Sequence, residues 1–339
     1  MARRGLHLQR EANINQVPVS ALSDPANFYI DPSTGKSKLK KIDALRPYKG
    51  YNSIRETDNV ANSMYNSLQI AWNRRFSGGL MFGVSYTLSK TMDDGSNQRD
   101  IVPDTYYVRN LWGPSDYDTR HVMTINYLYE LPFFRNSSTL GGKLLGGWQI
   151  SGITQFQTGN PCGIAVNNDY VGVGPPDGSM DASTNGLPYG SSSNCPAGQY
   201  WVVNGDPKLM KTFGPNGQWF QTCLVSVPAG QTCPDGSKAF NGEDERIFRP
   251  PAPGQFNLQK GVRGLIYRPG LENWNIGLYK KFPVNERTGF QFRAEAFNAF
   301  NHPNWAPPGL NPNAPGTFGK VVGKTDDVRN LQLSLRFYF

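Results

Sequence analysis

No stretch of this chain approaches the ~20 consecutive apolar residues that a membrane-spanning helix requires, and its mean hydropathy is −0.51. A helical membrane protein is thereby excluded. A membrane β-barrel is not, because its strands are apolar on one face only. Sustained helical periodicity is also missing. Histidine is scarce: His7, His121 and His302 stand in unrelated segments. Asp118 and His121 with a nearby Ser could be written as a triad, but nothing in their spacing fixes a geometry; loop capping accounts for them. Asp93-Asp94-Gly95 lacks the alternating oxygen ligands of a calcium loop and reads as a solvated turn. The expectation is therefore a protein with no enzymatic activity and no cofactor. The net charge of +8 is spread along the chain, with one short run at Lys38-Leu39-Lys40-Lys41. A nucleic-acid footprint would gather Lys and Arg on one element, so nucleic acid is not an expected partner.

What the chain does have is glycine (37), proline (26) and aromatic residues (12%), a composition that suits a loop-rich all-β protein. Its last eleven residues (RNLQLSLRFYF) set Leu331, Leu333, Leu335, Phe337 and Phe339 on one face of a strand. Gln332, Ser334, Arg336 and Tyr338 fall on the other, since strand side chains alternate at period two. Ending on a bare aromatic, this segment looks like the closing strand and assembly signal of an outer-membrane β-barrel. Six further segments alternate in the same way. The strongest carry Leu80 to Leu88, Met123 to Leu131 and Phe290 to Ala296; weaker ones carry Leu68 to Phe76, Trp148 to Phe156 and Trp274 to Phe282. An eighth, near Arg3 to Ile14, rests on Leu6 and Leu8 alone. Each strong segment has about the ~9–11 residues that cross a bilayer at a steep tilt.

The connections discriminate further. Short links at Ser77-Gly78-Gly79, Pro132–Gly147 and Pro283–Gly289 alternate with long ones near residues 15–63, 92–118, 159–272 and 301–328. Tight periplasmic turns and long outer loops are the pattern of a transmembrane barrel. With the C-terminus at the periplasmic side, Trp72, Phe76, Phe82, Tyr127, Tyr129, Trp148, Phe282, Phe290 and Phe292 all lie toward the periplasmic ends of their strands, together with Phe337 and Phe339, as an aromatic girdle would. Cys162, Cys195, Cys223 and Cys233 all fall within the predicted extracellular loop 159–272 and read as two disulfides. Three pairings are possible, of which Cys162–Cys195 with Cys223–Cys233 is the most local. A zinc site is the rival, but no two of the four have ligand spacing and the loop has no His. Gln291, Arg293, Glu295, Gln332 and Arg336 point to the inner side of two neighbouring strands. There they meet a wet lumen in a wide barrel, or pair among themselves in a narrow one.

Specific motifs then follow one another along the chain: Asn66-Ser67-Leu68-Gln69, Arg74-Arg75-Phe76-Ser77, Ser85-Tyr86-Thr87-Leu88-Ser89-Lys90, Asp118-Thr119-Arg120-His121, Tyr129-Glu130-Leu131-Pro132-Phe133, Gly146-Gly147-Trp148-Gln149-Ile150-Ser151-Gly152, and Arg293-Ala294-Glu295-Ala296-Phe297-Asn298-Ala299-Phe300-Asn301-His302-Pro303-Asn304. In this combination, from about Gly5 to Phe339, the chain resembles the C-terminal barrel portion of the Oar-like TonB-dependent receptors. The resemblance implies a signal peptide, often a carboxypeptidase-regulatory-like domain, then a plug and a 22-stranded barrel. Residues 1–12 (MARRGLHLQREA) have basic character without an apolar core behind it, and only about eight strands are legible. The expectation is an antiparallel transmembrane β-barrel fold in which residues 1–339 form the final third of such a receptor, without plug, TonB box or signal peptide. The resemblance further implies an outer-membrane location, uptake of an unidentified scarce solute, and contact of the inward polar residues with a plug. Implied partners are outer-membrane lipid, the barrel-assembly machinery, and the TonB complex acting through a preceding region. The alternatives are a self-contained eight-stranded adhesin or structural barrel, and a soluble carbohydrate-binding β-sandwich.

Overall fold

The structure is a computed structural model; it describes residues 1–22, 24–33, 37–39, 42–96, 108–134, 139–166, 195, 199–207, 209–214, 217–222, 247–251, 255, 257, 259–314, 316–325 and 328–339. Eight long strands form one antiparallel sheet: β1 (Ala2–Asn13), β2 (Arg55–Ser77), β3 (Leu80–Asp93), β4 (His121–Glu130), β5 (Trp148–Gln157), β6 (Leu271–Pro283), β7 (Gly289–Phe297) and β8 (Asn330–Tyr338). Each pairs with the strands before and after it in the chain, so the sheet is a simple meander. It is open, with β1 at one edge and β8 at the other. A two-residue strand, Gly113–Pro114, adds to the C-terminal end of β3.

The links sort as their lengths predict. Gly78 and Gly79 both take positive φ, 62° and 82°, which closes a tight hairpin between β2 and β3 that a side chain would strain. Between β6 and β7, Asn285 accepts from the amides of Arg287 and Thr288 through its side chain. The link 131–147 contains a short helix, α1 (Leu140–Leu145), whose N-terminus is capped by Thr139 accepting from the Gly142 amide at 3.1 Å.

Directly paired residues in antiparallel strands share a face, so the register fixes what each side of the sheet presents. One row crosses seven strands as Leu333, Ala294, Leu278, Ile150, Tyr129, Leu80 and Ser77. It is apolar but for its last member. The neighbouring row on the opposite face runs Ser334, Arg293, Tyr279, Gln149 and Glu130. Alternation seen within single strands thus adds up to one apolar and one polar side across the sheet. Leu331, Leu333, Leu335 and Phe337 are all well exposed on the apolar side. Glycines on the sheet are roofed by tyrosines: Tyr127 lies over its paired Gly152, and Tyr338 over its paired Gly289.

Two of the long links differ in detail from expectation. The first long link was expected to span residues 15–63, but β2 begins at Arg55 and the link is 14–54. Residues 55–63 alternate nothing apolar, because they lie beyond the part of the strand that needs an apolar face. Pairing with Asn13 through Leu8 of β1 holds them extended. The second difference is that the predicted loop 159–272 is not a plain loop. With residues from 301–325 it builds a small cap with its own core of Cys162, Ile164, Trp201, Phe220, Phe248 and Phe318. Phe220, Phe248 and Phe318 meet edge to face in a triangle, at centroid distances of 5.8, 5.6 and 5.6 Å. Short pairings tie the cap together, including Val202–Val203 with Phe248–Arg249 and Pro161–Cys162 with Ile266–Tyr267.

Candidate functional site

The polar side of the sheet holds the residues expected to face a lumen. Arg293 and Glu295 meet through Tyr279 on β6 rather than as an isolated ion pair. The Tyr279 hydroxyl donates to Glu295 at 2.7 Å, and the Arg293 guanidinium lies over the Tyr279 ring at 5.7 Å. Arg293 also donates to Gln291 Oε1 at 3.1 Å. Across the strand pair, Arg336 stands opposite Gln291 and Gln332 opposite Glu295. Farther along the same side, Gln149 donates to Glu130 at 2.9 Å. The result is a hydrogen-bonded polar surface in which Arg336 and Gln332 remain exposed at the β8 edge.

The aromatic residues expected to form a girdle lie on strand ends next to the short links, and several touch. Trp72 meets Phe82 edge to face at 4.9 Å, Trp148 meets Phe292 at 6.0 Å, and Phe290 meets Phe337 at 5.2 Å. Tyr127 pairs with Phe82 in register, Tyr129 with Leu80, and Phe282 with Phe290. Phe76 is exposed beside the irregularity between Arg74 and Ser77. Two cations share this side near these rings: Arg74, paired with Phe82, and Lys280. Lys280, paired with Trp148 and Phe292, sits over the Trp148 and Phe282 rings and donates to the backbone oxygens of Leu144 and Gly146. It pins the C-terminus of α1 against the apolar side of the sheet.

The end of the sheet that carries the long links is built from contacts that the sequence did not reveal. Asp93 is not in a solvated turn, as expected, but is buried. Arg263 of the cap reaches it with an Nη1–Oδ1 separation of 2.6 Å and donates to the Asp93 carbonyl and to Ser96 Oγ. Arg263 is itself buried. Asp94 instead accepts from the Asn62 amide at 2.9 Å and lies 3.8 Å from Arg10. Asp118, fully buried just before β4, accepts from the Thr91 amide at 2.6 Å. Burial raises its carboxyl above the ordinary carboxylate range, opposed by that hydrogen bond and by the charge of Arg120. Burial also raises the Tyr267 hydroxyl and lowers Arg268.

Cys162 and Cys195 form a disulfide within the cap, which removes both as zinc ligands. Cys223 and Cys233 lie outside the described residues. The segment Phe297 to Asn304 turns back over β6. Buried Asn298, at φ +47°, donates to the His302 carbonyl and accepts the His302 amide, each at 2.9 Å. Asn304 accepts from the Glu272 amide at 2.9 Å, and its carbonyl accepts from Thr325. This fold-back sets His302, Pro303 and Trp305 over the end of the sheet that carries the long links. Beneath them is a cleft of about 430 Å³, floored by Tyr86, Met123 and Phe156 and walled by Trp219, Glu272 and His302. His121 is there too, its Nδ1 2.8 Å from the Tyr86 hydroxyl. Asp118 and His121 therefore serve separate contacts. The cleft was not legible in advance; a carboxylate at Glu272 interrupting an aromatic alternation was its one trace.

A family model described as "Outer membrane beta barrel domain" matches residues 1–332. Among curated proteins, none matches. Among solved structures, the outer membrane transporter YddB from Escherichia coli aligns with a TM-score of 0.39 and 8% identity, over 100% of this chain and 29% of that chain. The chain thus spans under a third of the length of the transporter it matches.

Proposed function

Since the chain belongs to the outer membrane β-barrel domain family and resides in the outer membrane, we propose that it is the C-terminal, membrane-embedded part of a TonB-dependent receptor of the Oar-like kind, which takes up a scarce solute. The observation that carries this reading is the open sheet with a hydrogen-bonded polar side. In lipid, edge backbone groups must be paired, so β1 and β8 call for neighbouring strands. A sheet so extended has a lumen wide enough for a plug or solute, whereas eight strands closed on themselves leave room only for side chains. The exposed Arg336 and Gln332 fit contact with such a plug. The aromatic residues near the short links act as the periplasmic girdle, and the terminal Leu331, Leu333, Leu335, Phe337 and Phe339 as the signal read by the barrel-assembly machinery.

In this mechanism the outer cap and the plug capture the solute. Force delivered by the TonB complex to the region preceding the barrel rearranges the plug, and the solute passes along the polar side. No bond is made or broken by the protein. The test expresses the complete gene in an outer membrane stripped of its own receptors, with and without TonB, and measures accumulation of a panel of iron chelates and oligosaccharides. Energy-dependent accumulation of at least one solute, abolished without TonB, is expected. Uptake that is indifferent to TonB, or no uptake of any solute by a correctly inserted protein, would overturn the proposal.

A further inference from the structure

We propose that the cleft at the outer rim binds a glycolipid of the outer leaflet, with an acyl chain against Met123 and Phe156 and sugar hydroxyls at Glu272 and His302. The floor is part of the membrane-facing surface itself. Tyr86, Met123, Phe156 and Glu272 form one register row across β3, β4, β5 and β6. The adjacent row on the same face is Val84, Ile125, Thr154 and Trp274, and the next two rows across these strands, Phe82, Tyr127, Gly152, Ile276 and then Leu80, Tyr129, Ile150, Leu278, carry no charge. The cleft therefore opens toward lipid, not toward the polar side. It also lies at a defined depth. Met123 is two residues from the outer end of β4 and Phe156 one residue from the outer end of β5, and strands of ten residues are about as long as the hydrocarbon layer needs. Acyl chains give way to headgroups at that level.

The polar groups select the headgroup. Glu272 Oε1 accepts from Trp274 Nε1 at 2.9 Å, and Oε2 lies 3.7 Å from His302 Nε2. The carboxylate is thus held in place while more than a third of it remains exposed. His302 Nδ1 is buried without a hydrogen-bond partner among the described residues. A fixed carboxylate repels a phosphodiester and accepts hydrogen bonds from hydroxyl groups. The Trp219 and Trp305 side chains add the aromatic surface on which the apolar face of a sugar ring packs. The volume, about 430 Å³, is in the range of ~300–1,000 Å³ of small-molecule sites, enough for one chain and part of a headgroup.

The test uses the full-length protein extracted from its own outer membrane in mild detergent and incubated with an acylated glucosamine disaccharide, phosphatidylethanolamine or phosphatidylglycerol, with bound lipid counted by native mass spectrometry. The glycolipid should bind in preference to both phospholipids. Met123→Trp fills the floor and should cut glycolipid binding tenfold or more, while Leu278→Trp, on the same apolar side but three register rows from Glu272, should leave it unchanged. Glu272→Gln should retain a bound lipid but lose the preference for the sugar headgroup. Equal binding by Met123→Trp and the parent protein, or phospholipid bound as well as glycolipid, would overturn the assignment. Solute uptake is not measured, so the outcome is independent of whether TonB-driven transport holds.

Discussion

Arg263 and Asp93, separated by 170 residues, meet at 2.6 Å in a buried ion pair that fastens the outer cap to the end of β3. Such a pair is weak evidence for stability as a whole, because desolvation offsets much of the attraction, but removing one partner strands the other charge in the interior. Arg263→Ala should therefore loosen the cap by about 3–5 kcal/mol. Replacing both residues with Met and Leu should cost far less. Limited proteolysis of residues 195–270 reports the difference; equal protease sensitivity in the single and double variants would refute a coupled pair.

The two sides of β8 should respond oppositely to charge. Leu333→Arg places a guanidinium on the apolar side, at a cost of about 2–4 kcal/mol near the bilayer midplane. Gln332→Arg places it on the polar side opposite Glu295, where it should be tolerated. The measurement is the amount of heat-modifiable, folded protein in the outer membrane. Normal levels of Leu333→Arg would contradict the orientation of the sheet.

The disulfide should act on the cap alone. It closes a separation of 33 residues, for which loop-closure entropy gives about 3–4 kcal/mol. Cys162→Ser should make the cap protease-sensitive and leave membrane insertion unchanged. Peptide mapping without reductant should recover Cys162 joined to Cys195.

Asp118 gives the rim a pH dependence of definite sign. Its carboxyl is raised by burial, so the folded protein holds that proton more tightly than the unfolded chain. Its contribution is then most favourable at acid pH and is lost as pH rises from the ordinary carboxylate value through the raised one. Asp118→Asn keeps the acceptor for the Thr91 amide and removes the charge. The variant should be at least as stable as the parent at neutral pH and should show a flatter pH profile, read by hydrogen exchange of the Thr91 amide. A parent protein whose rim tightens with rising pH over that window would reverse the assignment.

The sheet was legible because lipid imposes a simple rule: each crossing strand must be apolar at every second position. That rule reveals four strands strongly, three more weakly, and β1 on Leu6 and Leu8 alone. It fell silent at Arg55 to Ser63, where β2 continues beyond the part that needs an apolar face. The cap was illegible for a different reason. Trp201, Phe220, Phe248 and Phe318 stand in short apolar runs of one to four residues with no sustained alternation (Tyr200 to Val203, Trp219-Phe220, Ile247-Phe248, Phe318 alone), and they become a core only when segments over a hundred residues apart meet. Asp93 was misread for the same reason, since its partner Arg263 has no local signature. The Asn298–His302 fold-back was visible as a motif of the resemblance, but its hydrogen bonds explain the motif as a structural turn that places His302 and Trp305 over the cleft.

The 23 residues of β2 would measure about 76 Å if fully extended at roughly 3.3 Å each, more than twice what the bilayer core demands. Paired with β1 as far as Asn13 and Arg55, the excess forms a stiff mast. At its tip the buried Asn15 side chain donates to the carbonyls of Tyr48, Tyr51 and Asn52, so the masthead is tied off rather than frayed. On a cell surface crowded with long polysaccharide, height decides which encounters are possible. With the long links on the extracellular side, as proposed, the knot that Asn15 ties with Tyr48, Tyr51 and Asn52 is therefore carried clear of the bilayer, within reach of an antibody or a phage.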